Sequence, residues 1–228
     1  MRILLVGHGK MGKLVESLAA GYGCEVVGIV DSQSVAPIGA DVSRAPQADV
    51  AIDFSTPAAV AVNAPALARR GMNLVIGTTG WQKDEAAIRA AVEQFGAGVV
   101  AAPNFSTGVV IFDAVVAHAA KLFAAQAEFG AFVHEAHHAT KKDAPSGTAL
   151  SLKRSMEAGG FTRPIDVAST RAGHIPGTHT VGFDGPAESI TLTHTARDRT
   201  AFARGALVAA QWIAGKQGWY TMRDVLGI

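Results

Sequence analysis

Apolar residues follow two different rhythms along this chain. From the N-terminus to about residue 105, short continuous apolar runs alternate with segments of helical period. A continuous apolar run reads as a strand buried on both faces, the mark of a parallel sheet. Arg2–Val6 (RILLV) and Glu25–Val30 (EVVGIV) are the first two, separated by a helical pattern carrying Leu14, Val15 and Leu18 that stops at Gly21-Tyr22-Gly23. Residues 49–54, Asn73–Ile76 and residues 98–102 are three more strands. Helices are expected over residues 57–70 and 82–95. The first of these begins at Ser55-Thr56-Pro57, with Pro at the first helical position, and Gly71 stops it. Pro65 inside it predicts a kink or two short helices. Strand and helix alternating at this spacing predict a doubly wound parallel sheet.

The rhythm changes after Thr107–Ala124, a long apolar helix that reads as a bridge to a second unit. Residues 127–134, Ile165–Arg171, residues 178–183 and residues 188–195 then read as strands. Asp184-Gly185-Pro186 makes a turn between the last two, and Thr191, Thr193 and Thr195 share one face. These predict a mixed or antiparallel sheet. Residues 200–214 form a closing apolar helix expected to pack back on the first domain. The expected fold is therefore α/β. A Rossmann-type doubly wound parallel sheet (residues 1–105 plus 200–228) carries an inserted α+β mixed-sheet domain (residues 106–199).

The first strand runs directly into Gly7-His8-Gly9-Lys10-Met11-Gly12, a GxGxxG. Gly7 allows the tight turn, Gly9 lets backbone approach a pyrophosphate, and Gly12 lets helix and strand pack closely. Asp31 ends the second strand 19 residues after Gly12, where an acid accepts hydrogen bonds from ribose hydroxyls. Strand, glycine turn, helix, strand and acid together predict a dinucleotide site. The turns Gly77-Thr78-Thr79-Gly80 and Ala102-Pro103-Asn104-Phe105 follow the fourth and fifth strands and are expected to line its nicotinamide side. Thr78, Thr79 and Asn104 also suit ordinary turns.

The densest chemistry lies in His134 to Thr148, HEAHHATKKDAPSGT. Its first five residues match HExxH, a zinc motif that needs both histidines on one helical face. The preceding residues are strand-like, and on a strand positions 134 and 138 lie roughly 13 Å apart, too far to share one ion. No metal is expected. The better reading is proton transfer and anion binding. His137 and Lys141 flank a strand-to-loop junction, and a reductase needs a proton donor opposite the delivered hydride. Ser146, Gly147 and Thr148 start a helix whose free N–H groups, with the Thr148 hydroxyl, suit a carboxylate. His138 and Lys141 add positive charge. The implied substrate is a small anion, a dicarboxylate.

Composition narrows the class. The chain has 228 residues, 49% hydrophobic and 17% charged, enough for a sizeable core. A net charge of +1 gives no general pull toward nucleic acid or membrane. One cysteine, Cys24, excludes an internal disulfide and reads as a small core residue in a reducing compartment. No apolar run is expected to reach the ~18 residues that span a bilayer. These features predict a cytoplasmic protein.

The stretch EAHHATKKDAPSGTA closely resembles the signature of the dihydrodipicolinate reductase family. The resemblance extends over nearly the whole chain: GKMG, DFSTP, GTTG, APNFS, RAGHIPGTH, THTARDRTAFARGA and MRDVLG. It implies reduction of 4-hydroxy-tetrahydrodipicolinate in lysine synthesis. His137 would be proton donor and acceptor, Lys141 a second donor, and His138, Gly147 and Thr148 substrate-binding. NADH or NADPH would bind at Gly7 to Gly12, Asp31, Gly77 to Thr79 and Ala102 to Phe105. The family further implies a homotetramer built through the sheet domain, and hinge closure. Two departures concern the cofactor. The GHGKMG loop is one residue shorter than the expected form, and Ser32 stands after Asp31 where many relatives carry a basic residue. With no cation there, NADH is expected to serve at least as well as NADPH. Rival readings are another two-domain amino- or hydroxy-acid dehydrogenase, for which DAPSGT is the wrong loop, and a dinucleotide-binding sensor without catalysis.

Overall fold

The computed structural model describes residues 1–31 and 42–228, and the chain divides into two compact units. Unit 1 comprises Met1–Thr107 and Arg199–Ile228; unit 2 is Gly108–Asp198.

Unit 1 is built on strands β1 (Arg2–Val6), β2 (Glu25–Val30), β3 (Val50–Asp53), β4 (Asn73–Ile76), β5 (Gly98–Ala101) and β10 (Gly218–Tyr220). All pair in parallel, in the order β10-β5-β4-β3-β1-β2. The chain leaves β1 toward β2 and then returns to the other side at β3. Between β1 and β3 lies the switch point where such sheets bind ligands at strand C-termini. Continuous apolar runs explain why β1, β3, β4 and β5 lie inside, while β2 and β10 form half-buried edges. Ile3, Leu4, Leu5 and Val6 are at most 1% exposed, because helices cover both faces. Helices α1 (Lys10–Ala19), α2 (Pro57–Arg69), α3 (Glu85–Gln94), α6 (Thr200–Ile213) and α7 (Met222–Leu226) complete the unit. Asn73 ties strand to tail: its Nδ2 donates to the Ile213 carbonyl at 2.6 Å, and its Oδ1 accepts Gly98 N–H at 2.8 Å. Cys24 is buried, and burial raises its thiol pKa.

Unit 2 is a four-stranded mixed sheet in the order β7-β6-β8-β9, from β6 (Gly130–His137), β7 (Ile165–Arg171), β8 (Thr178–Asp184) and β9 (Ser189–Thr195). β6 runs parallel to β7 and antiparallel to β8. Helices α4 (Thr107–Ala124) and α5 (Gly147–Ala158) supply Phe112, Val116, Leu152 and Met156 to a core with Val133, Phe161 and Phe183. Thr178–Thr195 and Thr180–Thr193 hydroxyl pairs, at 3.2 and 3.0 Å, bridge β8 and β9 on the other face.

Several expectations change. Pro65 does not split α2, which runs unbroken from Pro57 to Arg69. Proline removes one helical hydrogen bond, but burial of Val60, Ala64, Leu67 and Ala68 on the same helix holds it together. β6 begins later than expected and runs to His137, because its polar end still pairs with both neighbours. β10 and α7 were not anticipated; they are 3 and 5 residues long, too short for a periodic pattern. α4 has 18 residues and a mean hydropathy of 1.6, so by length and composition it is long and apolar enough to cross a bilayer. Phe112, Val116 and Ala120 pack it into the unit 2 core.

Candidate active site

Unit 1 sets its first glycine loop at the switch point. Gly7 takes φ +90° and donates its N–H to the Val30 carbonyl at 2.7 Å. A Cβ on Gly7 would stand 2.9 Å from Ser55 Cα and strike the Phe54 carbonyl, so both conformation and space require glycine. A Cβ on Gly12 would strike the Gly7 carbonyl, which is the close turn-to-helix approach. Gly9 is different: a Cβ there would meet no atom of the described residues within 4 Å. None of those residues requires glycine at that position, whereas a pyrophosphate lying on the backbone would. These residues therefore fit a dinucleotide. His8 is half-buried with Nε2 2.7 Å from Glu16; Lys10 is exposed at the start of α1, beside half-buried Met11. Asp31 directly follows β2 and is half-buried. Ser32 lies outside the described residues.

The next two turns stand at the ends of β4 and β5. Gly77 lies against the Phe54 ring, and Phe54 meets Phe105 edge-on with centroids 6.2 Å apart. Thr78 is buried. Its hydroxyl donates to the Asp53 carboxylate at 2.7 Å and accepts Ser55 N–H at 2.8 Å. Asn104 Oδ1 accepts Ser106 N–H at 2.8 Å. The side chains of Thr78 and Asn104 thus brace their own turns. Thr79 and Pro103 are exposed, and Ala102 and Phe105 are buried. Asp53, which the sequence reading passed over, is 4% exposed and also accepts Ser55 Oγ–H at 2.6 Å. Burial pushes its carboxyl pKa up, more than these hydrogen bonds pull it down.

Unit 2 gathers its polar groups through strand register. His137 pairs with Arg171 on β7, and Glu135 pairs with Ser169 on β7 and His179 on β8. All project to the core side, because Glu135 continues the buried series Ala131, Val133. Glu135 is fully buried, yet Arg171 donates to its two oxygens at 2.6 and 2.9 Å. The same carboxylate bonds His137 Nδ1 and accepts Ser146 N–H at 3.2 Å. Burial alone would raise its pKa. Hydrogen bonds from Arg171, Ser169 and His137 outweigh burial and hold it at about 2. Burial lowers the His137 pKa, and Lys141 and Arg171 lower it further against the pull of Glu135. His179 is 5% exposed, with Nε2 3.1 Å from Ser146 Oγ and its ring edge-on to His137 at 5.1 Å. Burial holds its pKa at about 4.

The remaining expected residues cluster in the following loop. Lys141 donates to both oxygens of Asp143 at 2.8 and 2.9 Å. His138 Nδ1 lies 2.8 Å from Thr140 Oγ1. Ser146 caps α5, its Oγ accepting Ala149 N–H at 3.2 Å; Gly147 is exposed and Thr148 half-buried in the first turn. His134 bonds Thr170 at 3.0 Å on the other side of the sheet. HExxH is therefore broken up by the strand. Glu135, His137 and His179 do offer ligand atoms within 4.8 Å of one another. A cation there would meet the Arg171 guanidinium already on the carboxylate, so the donor set suits proton handling better. The sequence reading missed Arg171, Ser169 and His179. Arg171 and His179 lie in the RAGHIPGTH run, but strand register alone reveals what they touch.

Comparison with known proteins bears on both units. Residues 1–105 match the family profile "Dihydrodipicolinate reductase, N-terminus", and residues 108–226 match "Dihydrodipicolinate reductase, C-terminus". The 4-hydroxy-tetrahydrodipicolinate reductase of Methanosarcina barkeri is 41% identical over 198 residues, 80% of this chain and 74% of that protein. Its counterpart in Archaeoglobus fulgidus is 39% identical over an alignment of 261 positions, covering 99% of this chain and 100% of the relative. Among solved structures, a dipicolinate-bound dihydrodipicolinate reductase from Paenisporosarcina sp. TG-14 has the same fold, with a TM-score of 0.82 at 21% identity and 98% coverage of both chains. With profiles matched in both units and whole-length relatives at this identity, the chain belongs to the dihydrodipicolinate reductase family.

Proposed function

We propose that the protein reduces 4-hydroxy-tetrahydrodipicolinate to tetrahydrodipicolinate with NAD(P)H, a step of lysine and diaminopimelate synthesis. One observation carries this reading beyond family membership. Glu135 holds both His137 and Ser146, so a proton-exchanging imidazole and a helix start suited to carboxylate are built as one piece. The bound nicotinamide supplies a hydride, and the residues of unit 2 do the rest. The Thr148 hydroxyl and the first N–H groups of α5 bind a substrate carboxylate. A carboxylate also competes with Asp143 for the Lys141 ammonium, turning Lys141 toward substrate as a proton donor. His138 adds a second donor. His137 rests neutral, and a bound dianion favours its imidazolium, so proton uptake accompanies substrate binding.

NADH serves at least as well as NADPH in this reading. The Asp31 carboxylate accepts from ribose hydroxyls but repels a 2′-phosphate, and Lys10 offsets that repulsion only in part. A cytoplasmic homotetramer assembled through unit 2 completes it. Supporting the assembly, α4 and α5 pack on the face of Ala131 and Val133, leaving Phe132, His134, Thr191 and Thr193 on the opposite face of the sheet.

The test is NADH absorbance with and without 4-hydroxy-tetrahydrodipicolinate. Substrate-dependent loss of absorbance is expected, inhibited competitively by a planar aromatic dicarboxylate. Equal inhibition by the monocarboxylate analogue would overturn the dicarboxylate reading.

A further inference from the structure

We infer that Glu135, clamped by Arg171, is the positioning residue for His137: it fixes the imidazole with its proton on Nδ1 and leaves Nε2 to exchange a proton with substrate. The inference rests on the reductase reading and adds to it.

The geometry supplies three constraints. First, Glu135 has no exposed surface, so its carboxylate cannot exchange a proton with solvent or reach substrate. It acts through what it holds. Second, an ionised carboxylate only accepts hydrogen bonds, so its contact with Nδ1 requires Nδ1–H and places the lone pair of the neutral ring on Nε2. Third, the space beside Nε2 is kept open. Gly177 is buried at φ +143°, and a Cβ there would stand 3.1 Å from Nε2. A side chain at position 177 would press on the atom that exchanges the proton.

Arg171 solves the electrostatic problem this creates. A buried carboxylate alone would hold His137 permanently as imidazolium, able to give a proton but not to take one back. Arg171 pairs with the same two oxygens and cancels that charge while leaving the hydrogen bond in place. Lys141 from the loop, partly offset by Asp143, also disfavours imidazolium, while the neutral His179 ring from β8 packs edge-on against it. The result is a ring of fixed tautomer that is neutral at rest, consistent with the lowered His137 pKa.

The two partners act on His137 with opposite sign, which a merely structural pair would not do. Glu135→Gln removes the anion and leaves Arg171 facing the ring, so the His137 pKa falls. Arg171→Met leaves the anion unbalanced, so it rises; Arg171→Lys keeps the charge and restores the wild-type value. ¹⁵N NMR of histidine-labelled protein reads the tautomer and these titrations directly, and kcat/KM against pH reads them through turnover. The expected result is Nδ1–H in the wild type, opposite shifts in the two variants, and kcat lowered roughly 10²-fold in Glu135→Gln with NADH affinity unchanged. Nε2–H in the wild type, or shifts of the same sign, would overturn the inference. Should Glu135→Gln not fold, the wild-type tautomer and the Arg171 pair of variants still decide it. Tautomer and shifts as expected, with no substrate-dependent NADH oxidation, would uphold the positioning geometry and defeat the reductase reading instead.

Discussion

Each unit buries one carboxylate at or near the C-terminal end of a strand, Asp53 on β3 and Glu135 on β6, the two buried acids among the described residues. Their surroundings differ in one respect. Asp53 is met by neutral donors, the hydroxyls of Ser55 and Thr78 and one N–H. Glu135 is met by a guanidinium and an imidazole. Burial raises the pKa of the first, and the second stays at about 2. Burial alone does not fix what an acid does; the charge of its donors does. Asp53 braces the turns that follow β3 and β4. Glu135 remains an anion and holds the His137 ring.

Removing the cation should break this difference most severely. Arg171→Met leaves Glu135 buried and uncompensated, and unit 2 should lose roughly 3–5 kcal/mol. Asp53→Asn keeps hydrogen-bonding capacity at a site served by neutral donors, and should cost about 1–2 kcal/mol in unit 1. Hydrogen exchange of β6 and β3 amides reads each unit separately. Comparable losses in both would show that Arg171 carries no special weight.

Acid should separate the two carboxylates next. The Glu135 pKa is depressed from 4.5 to about 2. Its contribution, about 3 kcal/mol, is present above pH 4.5 and lost as pH falls toward 2. His179 has the same sign: its pKa is depressed from 6.5 to about 4, so its share is full above pH 6.5 and lost as pH falls through 4. The raised Asp53 pKa gives the opposite sign, with stability gained as it protonates. Urea titrations between pH 7 and 3 should show unit 2 weakening first. Unit 1 failing at higher pH than unit 2 would contradict this.

Smaller effects sharpen the division of labour. Thr148→Val removes one hydroxyl donor to a charged group and should raise the KM for substrate by about 1.5–3 kcal/mol while leaving NADH binding alone. Asp31→Ala should weaken NADH more than NADPH, and Ser32→Arg should shift preference toward NADPH. A wild-type preference for NADPH of tenfold or more, about 1.4 kcal/mol, would show that another basic group reaches the 2′-phosphate.

The sequence displays residues 1–105 well because their strands are continuous apolar runs, and Gly7 and Gly12 stand where only glycine fits. Unit 2 is legible only where its chemistry is contiguous, in His137, Lys141 and the Ser146–Thr148 helix start. Glu135 reads as part of a false zinc motif, since its strand partners lie far away. Arg171 is 36 residues from Glu135, and His179 is 33 from Ser146. Register brings Arg171 and His179 beside Glu135, the α5 cap adds Ser146, and a polar strand end hides its own length. The capping box of α7, Thr221 with Asp224, was a signal present in the sequence and overlooked.

The central claim is that unit 1 holds cofactor while His137 and Lys141 in unit 2 move the proton. Turnover and NADH affinity of His137→Ala and Lys141→Ala, measured on the same preparations, test it most directly. Each variant should lower kcat by roughly 10²-fold or more with the Kd for NADH unchanged. Near wild-type turnover in either variant, or a loss explained by weaker NADH binding, would contradict the account.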